Sequence, residues 1–392
     1  MNEGEAPGLE AQPRLQRPQA VQARSWALFG EIVGDGGRAR SRGIELADKI
    51  ETYIASSRLQ CGDRLGTERE LSVQFAASTR IVRQASRALL ARGTVEVRRG
   101  KWGGHVVAPG DEARAVEAFV GALGCDARGQ AAEALDALTQ GLSGEWGTAA
   151  RFVRAVLLRL ATDERRPPTA SCAVRAESIA VRIEADLDSW LSGARASGAG
   201  ILDAMSDHYG ASLPVVVQAI RLLEDGGVLW LRKGRRGGIL ANSDRSAGAV
   251  RAMHAYFASQ AVSVDECDRI VRLVNIALIE RATRAPAAPT DRVDEAWGGM
   301  QRAADATAVG MQWFALQRAM SDLAANPPLH LLARGFAAYV VRWRTSRATL
   351  TDIQARTLAQ GSAEIVGNIH AGRAAGSAAA HHLCQEALRF SW

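Results

Sequence analysis

Residues 62–71 read GDRLGTEREL, and residues 75–107 read FAASTRIVRQASRALLARGTVEVRRGKWGGHVV. Thr67 and Glu70 have the spacing of a capping box, which predicts a short helix starting at Thr67 and turning Leu71 and Phe75 inward. Ala76-Ala77 is a tight link, and Ser78 or Thr79 caps a second helix running to about Ala91. Along it Val82, Ala85, Leu89 and Leu90 recur at helical spacing and are expected in the core, while Arg80, Arg83 and Arg87 project from another face. Gly93 ends the helix, because glycine adopts the left-handed cap without a steric penalty. Two β segments follow, Thr94–Arg98 and His105–Val107, around the loop Arg99-Gly100-Lys101-Trp102-Gly103-Gly104. Between Ser78 and Lys101 there are seven Lys or Arg and one acid, Glu96. A helix-turn-helix followed by a basic hairpin is a winged helix, with one helix for the major groove and a wing for backbone or minor groove.

This order of residues resembles the GntR family of bacterial transcription regulators. The resemblance rests on Gly62-Asp63-Arg64-Leu65-Gly66-Thr67-Glu68-Arg69-Glu70-Leu71, on Val82-Arg83-Gln84-Ala85 and on the glycine-rich wing. It implies a DNA-reading role for Arg64, Thr67, Arg69, Ser78, Thr79, Arg80, Arg83, Arg87, Arg98, Arg99, Gly100, Lys101 and Trp102. Two positions depart from the family pattern. Gly66 stands where proline is usual. The arginine expected just after the serine is Thr79, with Arg80 one position later, so the base-reading side chain is aimed differently. Trp102 stacks on a sugar, wedges a groove or packs on its own hairpin; the sequence leaves these open.

Around this unit, residues 1–40 are rich in Pro, Gly, Gln, Arg and Glu and read as a disordered tail. Gly43–Ser57 is an amphipathic helix with Ile44, Ala47, Ile50 and Ile54 on one stripe, so the winged helix covers 41–110. From Arg42 to Pro109 twelve Lys/Arg face seven Asp/Glu. The excess lies on the recognition helix and wing, where phosphates would be met. Residues 111–172 read as a helical connector with helices at Glu112–Leu123, Gln130–Leu142 and Thr148–Ala161.

A shift of 134 residues then lays the winged helix over a later segment. Phe75 meets Tyr209, Ser78 meets Ser212, Gln84-Ala85 meets Gln218-Ala219, Leu89 meets Leu223, Gly93 meets Gly227 and Gly103-Gly104 meets Gly237-Gly238. Residues 173–243 therefore read as a second, degenerate winged helix. Leu213-Pro214 replaces Thr79-Arg80 and Val217 replaces Arg83. Between Glu177 and Asp225 three arginines face eight acids. An apolar helix opening cannot hydrogen-bond phosphates or base edges, so it is expected buried against protein. The second wing, Arg232-Lys233-Gly234-Arg235-Arg236, adds phosphate contacts or is simply a solvated hairpin.

Residues 244–392 read as all helical. Asn326-Pro327-Pro328-Leu329, Glu364-Ile365 and Ile369 make the layout resemble the FadR-type effector and dimerisation domain of that family. The expected fold is thus mainly α with small β-hairpin wings: two winged helix-turn-helix domains plus an all-α C-terminal helical bundle. Many such C-terminal domains hold a metal with one Asp and three His. The matching positions here are Trp313, Gln317, Ser362 and His381-His382 near Cys384; the two histidines read as exposed residues of a terminal helix, so neither metal nor other cofactor is expected. Trp313 and Trp343 line an apolar pocket or are plain core.

The totals agree. The 392 residues suffice for two or three domains, and 48 Lys+Arg against 42 Asp+Glu give a mild +6. Five scattered cysteines argue against a zinc knuckle or disulfide framework and for a reducing cytoplasm. No apolar run is long enough to span a membrane, and no phosphate-loop, zinc-protease or nucleophile-elbow motif points to an enzyme. The expectation is a cytoplasmic, nucleoid-associated regulator, a homodimer on double-stranded DNA and a repressor, with a small-molecule effector possible. The alternative is a DNA-binding structural or partner-recruiting protein that has lost effector sensing.

Overall fold

The computed structural model describes residues 41–100, 103–123, 127–139, 141–142, 147–162, 175–192, 200–232, 238–242, 244–285, 289–344 and 350–389. The first unit contains α1 (Arg42–Ser56), β1 (Arg64–Gly66), α2 (Glu68–Gln74), α3 (Thr79–Arg92), β2 (Val95–Arg98) and β3 (Gly104–Val107). Its antiparallel sheet has the order β1-β3-β2. Ser41, Thr67 and Ser78 cap the three helices with their side chains, and Thr67 with Glu70 closes the expected capping box. Ile50, Ile54, Leu71, Val82, Ala85 and Leu89 form the core, each almost wholly buried. Leu90 departs from expectation. It lies one residue beyond Leu89, about 100° round the helix, and is 38% exposed. Phe75 is half-buried and meets the Tyr53 ring edge-on at 5.9 Å.

Strand β1 goes beyond the sequence expectation, and it explains the missing proline. Gly66 has φ +116°, a value proline cannot adopt because its ring fixes φ near −65°. The chain turns there from β1 into the cap of α2, and His105 Nδ1 lies 3.3 Å from the Gly66 carbonyl.

The second unit contains α7 (Arg175–Ala185), α8 (Leu187–Ser192), α9 (Ile201–Tyr209), α10 (Leu213–Asp225), β4 (Leu229–Arg232) and β5 (Gly238–Ala241). The shift of 134 holds for backbone geometry as well as for residue types. Hairpin partners Val95↔Val107, Glu96↔Val106, Val97↔His105 and Arg98↔Gly104 are matched by Leu229↔Ala241, Trp230↔Leu240, Leu231↔Ile239 and Arg232↔Gly238. The hydrogen bonds Thr94 N–H to Leu89 O and Ala108 N–H to Thr94 O recur as Val228 N–H to Leu223 O and Asn242 N–H to Val228 O. The left-handed residues Ala76 (φ +50°) and Gly93 (φ +75°) recur as Gly210 (φ +59°) and Gly227 (φ +70°). Buried Leu71, Val82, Ala85 and Leu89 correspond to buried Met205, Val216, Ala219 and Leu223.

Between the units run α4 (Glu112–Leu123), α5 (Arg128–Thr139) and α6 (Thr148–Thr162). After the second unit come α11 (Ser246–Ser259), α12 (Val264–Thr283), α13 (Asp291–Gln301), α14 (Ala306–Leu323), α15 (Pro327–Arg344), α16 (Asp352–His370) and α17 (Ser377–Arg389). The three connector helices do not stand apart, because they share one core with α11–α17. Phe119 of α4, Phe152 of α6, Phe257 of α11 and Phe336 of α15 form a chain of rings with centroids 5.3, 5.4 and 5.5 Å apart. Helix α4 packs directly on α11, and each follows its own hairpin at the same shift of 134. No helix among the described residues is long and apolar enough to cross a membrane.

Candidate nucleic-acid interface

Helix α3 keeps Val82, Ala85 and Leu89 in the core and turns Arg80, Arg83 and Arg87 to solvent. Arg64, Thr67, Arg69, Ser78, Thr79, Arg98, Arg99 and Gly100 are exposed as well, so every described member of the candidate set is accessible. Lys101 and Trp102 lie outside the described residues.

Two acids in the first turn of α2 organise part of this surface. Glu70 accepts from the Thr67 amide at 2.6 Å and from Arg64 Nη2 at 2.7 Å. The Thr67 amide and the Arg64 guanidinium hold its carboxyl down at about 2. Glu68 accepts from Arg83 Nε at 3.3 Å, tying the middle of α3 to α2. On the hairpin, Arg98 Nε meets Glu96 at 3.3 Å. Arg64, Arg83 and Arg98 are therefore held in place but partly neutralised, whereas Arg69, Arg80, Arg87 and Arg99 form no ion pair among the described residues. A guanidinium free of a carboxylate can give all its donors to phosphate oxygens or to a guanine edge.

Arg92, one of the seven basic residues around α3, has another job. It is buried and bonds Asp48 at 2.9 Å, Glu51 at 2.8 Å and Asp225 of the second unit at 2.6 Å. Burial works against its charge, and Asp225, Glu51 and Asp48 outweigh it, raising the guanidinium well above its ordinary range. Thr94 donates to Glu51 at 3.0 Å. Arg342 of α15 bonds Thr52 at 2.5 Å and approaches Glu51 at 3.8 Å. Arg251 of α11 donates to the Asp225 carbonyl at 2.6 Å. The cluster locks both units and the bundle together. Its sequence signal was an acidic pair, Asp48 and Glu51, one turn apart beside the apolar stripe of α1.

Residues 44–102 match the bacterial regulatory proteins of the gntR family. The first unit is a GntR-type helix-turn-helix domain. No curated protein matches the chain. The GntR-type domain makes this a DNA-binding transcription regulator, and the matched segment contains every residue of the candidate set on α2, α3 and the hairpin.

The second unit presents a different surface at the equivalent positions. Asp203 and Asp207 are exposed where the GntR-type domain has Arg69 and Val73. Leu213, 40% exposed, and Pro214 stand for Thr79 and Arg80. The apolar opening of α10 is therefore buried only in part: Leu213 and Pro214 extend past the unit's core, whereas Val215 and Val217 are half-buried and Val216 turns fully inward. Arg232 ends β4, and Lys233, Arg235 and Arg236 lie outside the described residues.

In the bundle, Trp313, Gln317, Ser362 and His381 lie on α14, α16 and α17. Trp313 is core, with its ring 6.2 Å from that of His381. Ser362 donates to Leu358 O at 2.7 Å, and the Gln317 amide nitrogen has no hydrogen-bond partner among the described residues. His381 is fully buried rather than exposed, and burial, Arg272 and His382 push it down to about 3. His382 is exposed. Among the described residues no three His, Cys, Asp or Glu side chains come together as a metal site. The side chain of Trp343 lies outside the described residues.

Proposed function

We propose that the protein is a sequence-specific DNA-binding repressor of FadR-type organisation, built on a tandem duplication of the winged unit. The first head, 41–110, reads DNA. The second, 173–243, is a degenerate copy that packs beside it, and 244–392 is the effector and dimerisation region, extended by 111–172. The carrying observation is the exposed arginine stripe of α3 above an intact winged-helix core. The repeat of pairing register, turn geometry and core at one fixed shift supports the duplication. The chain forms a homodimer, and a small metabolite bound without metal in the bundle shifts the placement of the heads and releases DNA. The activity is binding rather than catalysis.

The test is a salt-dependent titration of genomic fragments flanking the protein's own gene. Intact protein is compared with the Arg69→Ala, Arg80→Ala, Arg83→Ala triple variant, and with a variant carrying glutamine at Arg232, Lys233, Arg235 and Arg236. Specific binding should vanish in the triple variant. In the second it should persist with a shallower salt slope, by about 0.9 for each phosphate no longer neutralised. Specific binding that survives the triple change would hand the reading role to the second unit.

A second reading, a DNA-bound partner-recruiting protein without effector, draws on one observation: Trp313 fills the bundle at a position where related domains carry a metal ligand. Specific DNA binding unaffected by any cellular metabolite extract would favour it.

A further inference from the structure

The two units meet along α3 and α10, and their seam is not closed. It leaves a solvent-open cleft, floored by the first turn of α1 at Gly43 and Ile44. Its walls come from matched positions of the two units: Gln84 with Gln218, and Arg87 with Arg221. Arg87 has no ion pair among the described residues. Among the described residues, Arg221 binds Glu224 through Nη1 only, and its buried Nε has no hydrogen-bond partner. The guanidinium is part-exposed with Nη2 unpaired among the described residues, so a ligand oxygen in the cleft would give it a second charged partner. Two guanidiniums against one carboxylate leave the cleft positive, the two amides add neutral donors, and Ile44, Val217 and Leu222 supply an apolar wall.

We propose that this seam binds a small organic anion, with its carboxylate or phosphate held between Arg87 and Arg221 and its carbon skeleton against Val217 and Leu222. The site is separate from the bundle and independent of the effector reading above. An occupant would bridge the DNA-reading helix to the second unit. It would also draw Arg87, the last arginine of the α3 stripe, toward the seam. The chain then has a sensor built between its two units.

The experiment is isothermal titration of the full chain, without DNA, at constant ionic strength held with chloride. The probes are inorganic phosphate, succinate and glucose 6-phosphate. Saturable binding of one equivalent of succinate or glucose 6-phosphate is expected. Which of the two binds decides between the carboxylate and the phosphate source. Arg221→Gln should weaken it at least about tenfold, the scale of one charged hydrogen bond. Arg292→Gln, which removes an exposed arginine in the bundle, should leave it unchanged. Should Arg221→Gln fail to fold by circular dichroism, Leu222→Trp fills the cleft instead and should block binding. Any of four results would overturn the proposal. These are no saturable binding of either organic probe, equal binding by Arg221→Gln (or by Leu222→Trp where it replaces it), equal loss in Arg292→Gln, and inorganic phosphate binding as tightly as the organic anions.

Discussion

At position 82 and its counterpart 216 both units bury a valine completely. One residue later the first unit exposes Arg83, and the second half-buries Val217 in the seam. The same split recurs at 69 and 203, an exposed arginine against an exposed aspartate, and at 80 and 214, an arginine against a proline. Core positions answer to packing, where a missing methylene is felt at once. Surface positions answer only to a partner. On the proposed duplication, the second unit shares the core and pairing register of the first but not its outward arginines, so the two differ in what they can touch. Where it meets the first unit, the second carries an acid, Asp225, at the position of Ala91, and that residue shapes the strongest prediction.

Arg92→Met should have the largest effect. Arg92 neutralises Asp48, Glu51 and Asp225 across the boundary between the units, and its removal leaves those carboxylates buried without it. Breaking a buried ion cluster on one side destabilises by about 3–5 kcal/mol. Thermal or urea unfolding checks this. A loss under about 1 kcal/mol would show that the two units do not depend on each other and would undo the comparison at its root.

The next effect is on DNA rather than stability. Arg80→Ala should weaken operator binding by about 1–3 kcal/mol, because it removes a charged donor with no competing carboxylate. Pro214→Ala, at the same place in the second unit, should leave binding unchanged. Arg83→Ala should cost less than Arg80→Ala, since Glu68 already engages that guanidinium at 3.3 Å. Fluorescence anisotropy on one operator measures all three. Equal losses at 80 and 214 would mean that both units touch DNA.

How far this contrast could be read from sequence follows the same division. The α3 register was legible because Val82, Ala85 and Leu89 repeat at helical spacing, and the caps because Ser78 and Thr67 sit where oxygen acceptors are needed. The exposed stripe Arg80, Arg83, Arg87 followed from those. The Arg92 cluster left only the acidic pair Asp48 and Glu51 as a trace in the sequence, because Arg92 reads like its neighbours until α10, α11 and α15 close over it, and the partners on those helices lie 133 to 250 residues away. Strand β1 is silent in the sequence because three residues are too short to show alternation. His381 reads as an exposed terminal-helix histidine; its burial depends on α14 and α16, which no local pattern announces.

Helix caps give a smaller, cleaner test. Ser78 accepts from the Ile81 amide, whereas Ser212, its counterpart, makes no cap bond and is followed by Pro214 in the first turn. Ser78→Ala should destabilise by about 1 kcal/mol and Ser212→Ala by close to nothing. Equal losses in unfolding experiments would mean that Ser212 caps α10 after all.

The smallest expected effect concerns acid stability. Glu70 has no counterpart in the second unit, where residue 204 is alanine. Its carboxyl in the folded chain sits near 2, below the ordinary value of 4.5. The unfolded chain therefore takes up this proton first as pH falls. The stabilisation is complete above about 4.5 and is lost on the way down to about 2. Because the side chain is half exposed, solvent and salt screen much of it. Glu70→Gln should flatten the acid limb of the stability profile between those values, and it should release Arg64 from its 2.7 Å bond. The freed guanidinium would then be as available to phosphate as Arg69, so the variant should lose a little acid-dependent stability while binding DNA no more weakly than the parent. Weaker binding would mean that Glu70 aims Arg64 at its phosphate, and that the first unit relies on preorganised arginines as well as on unpaired ones.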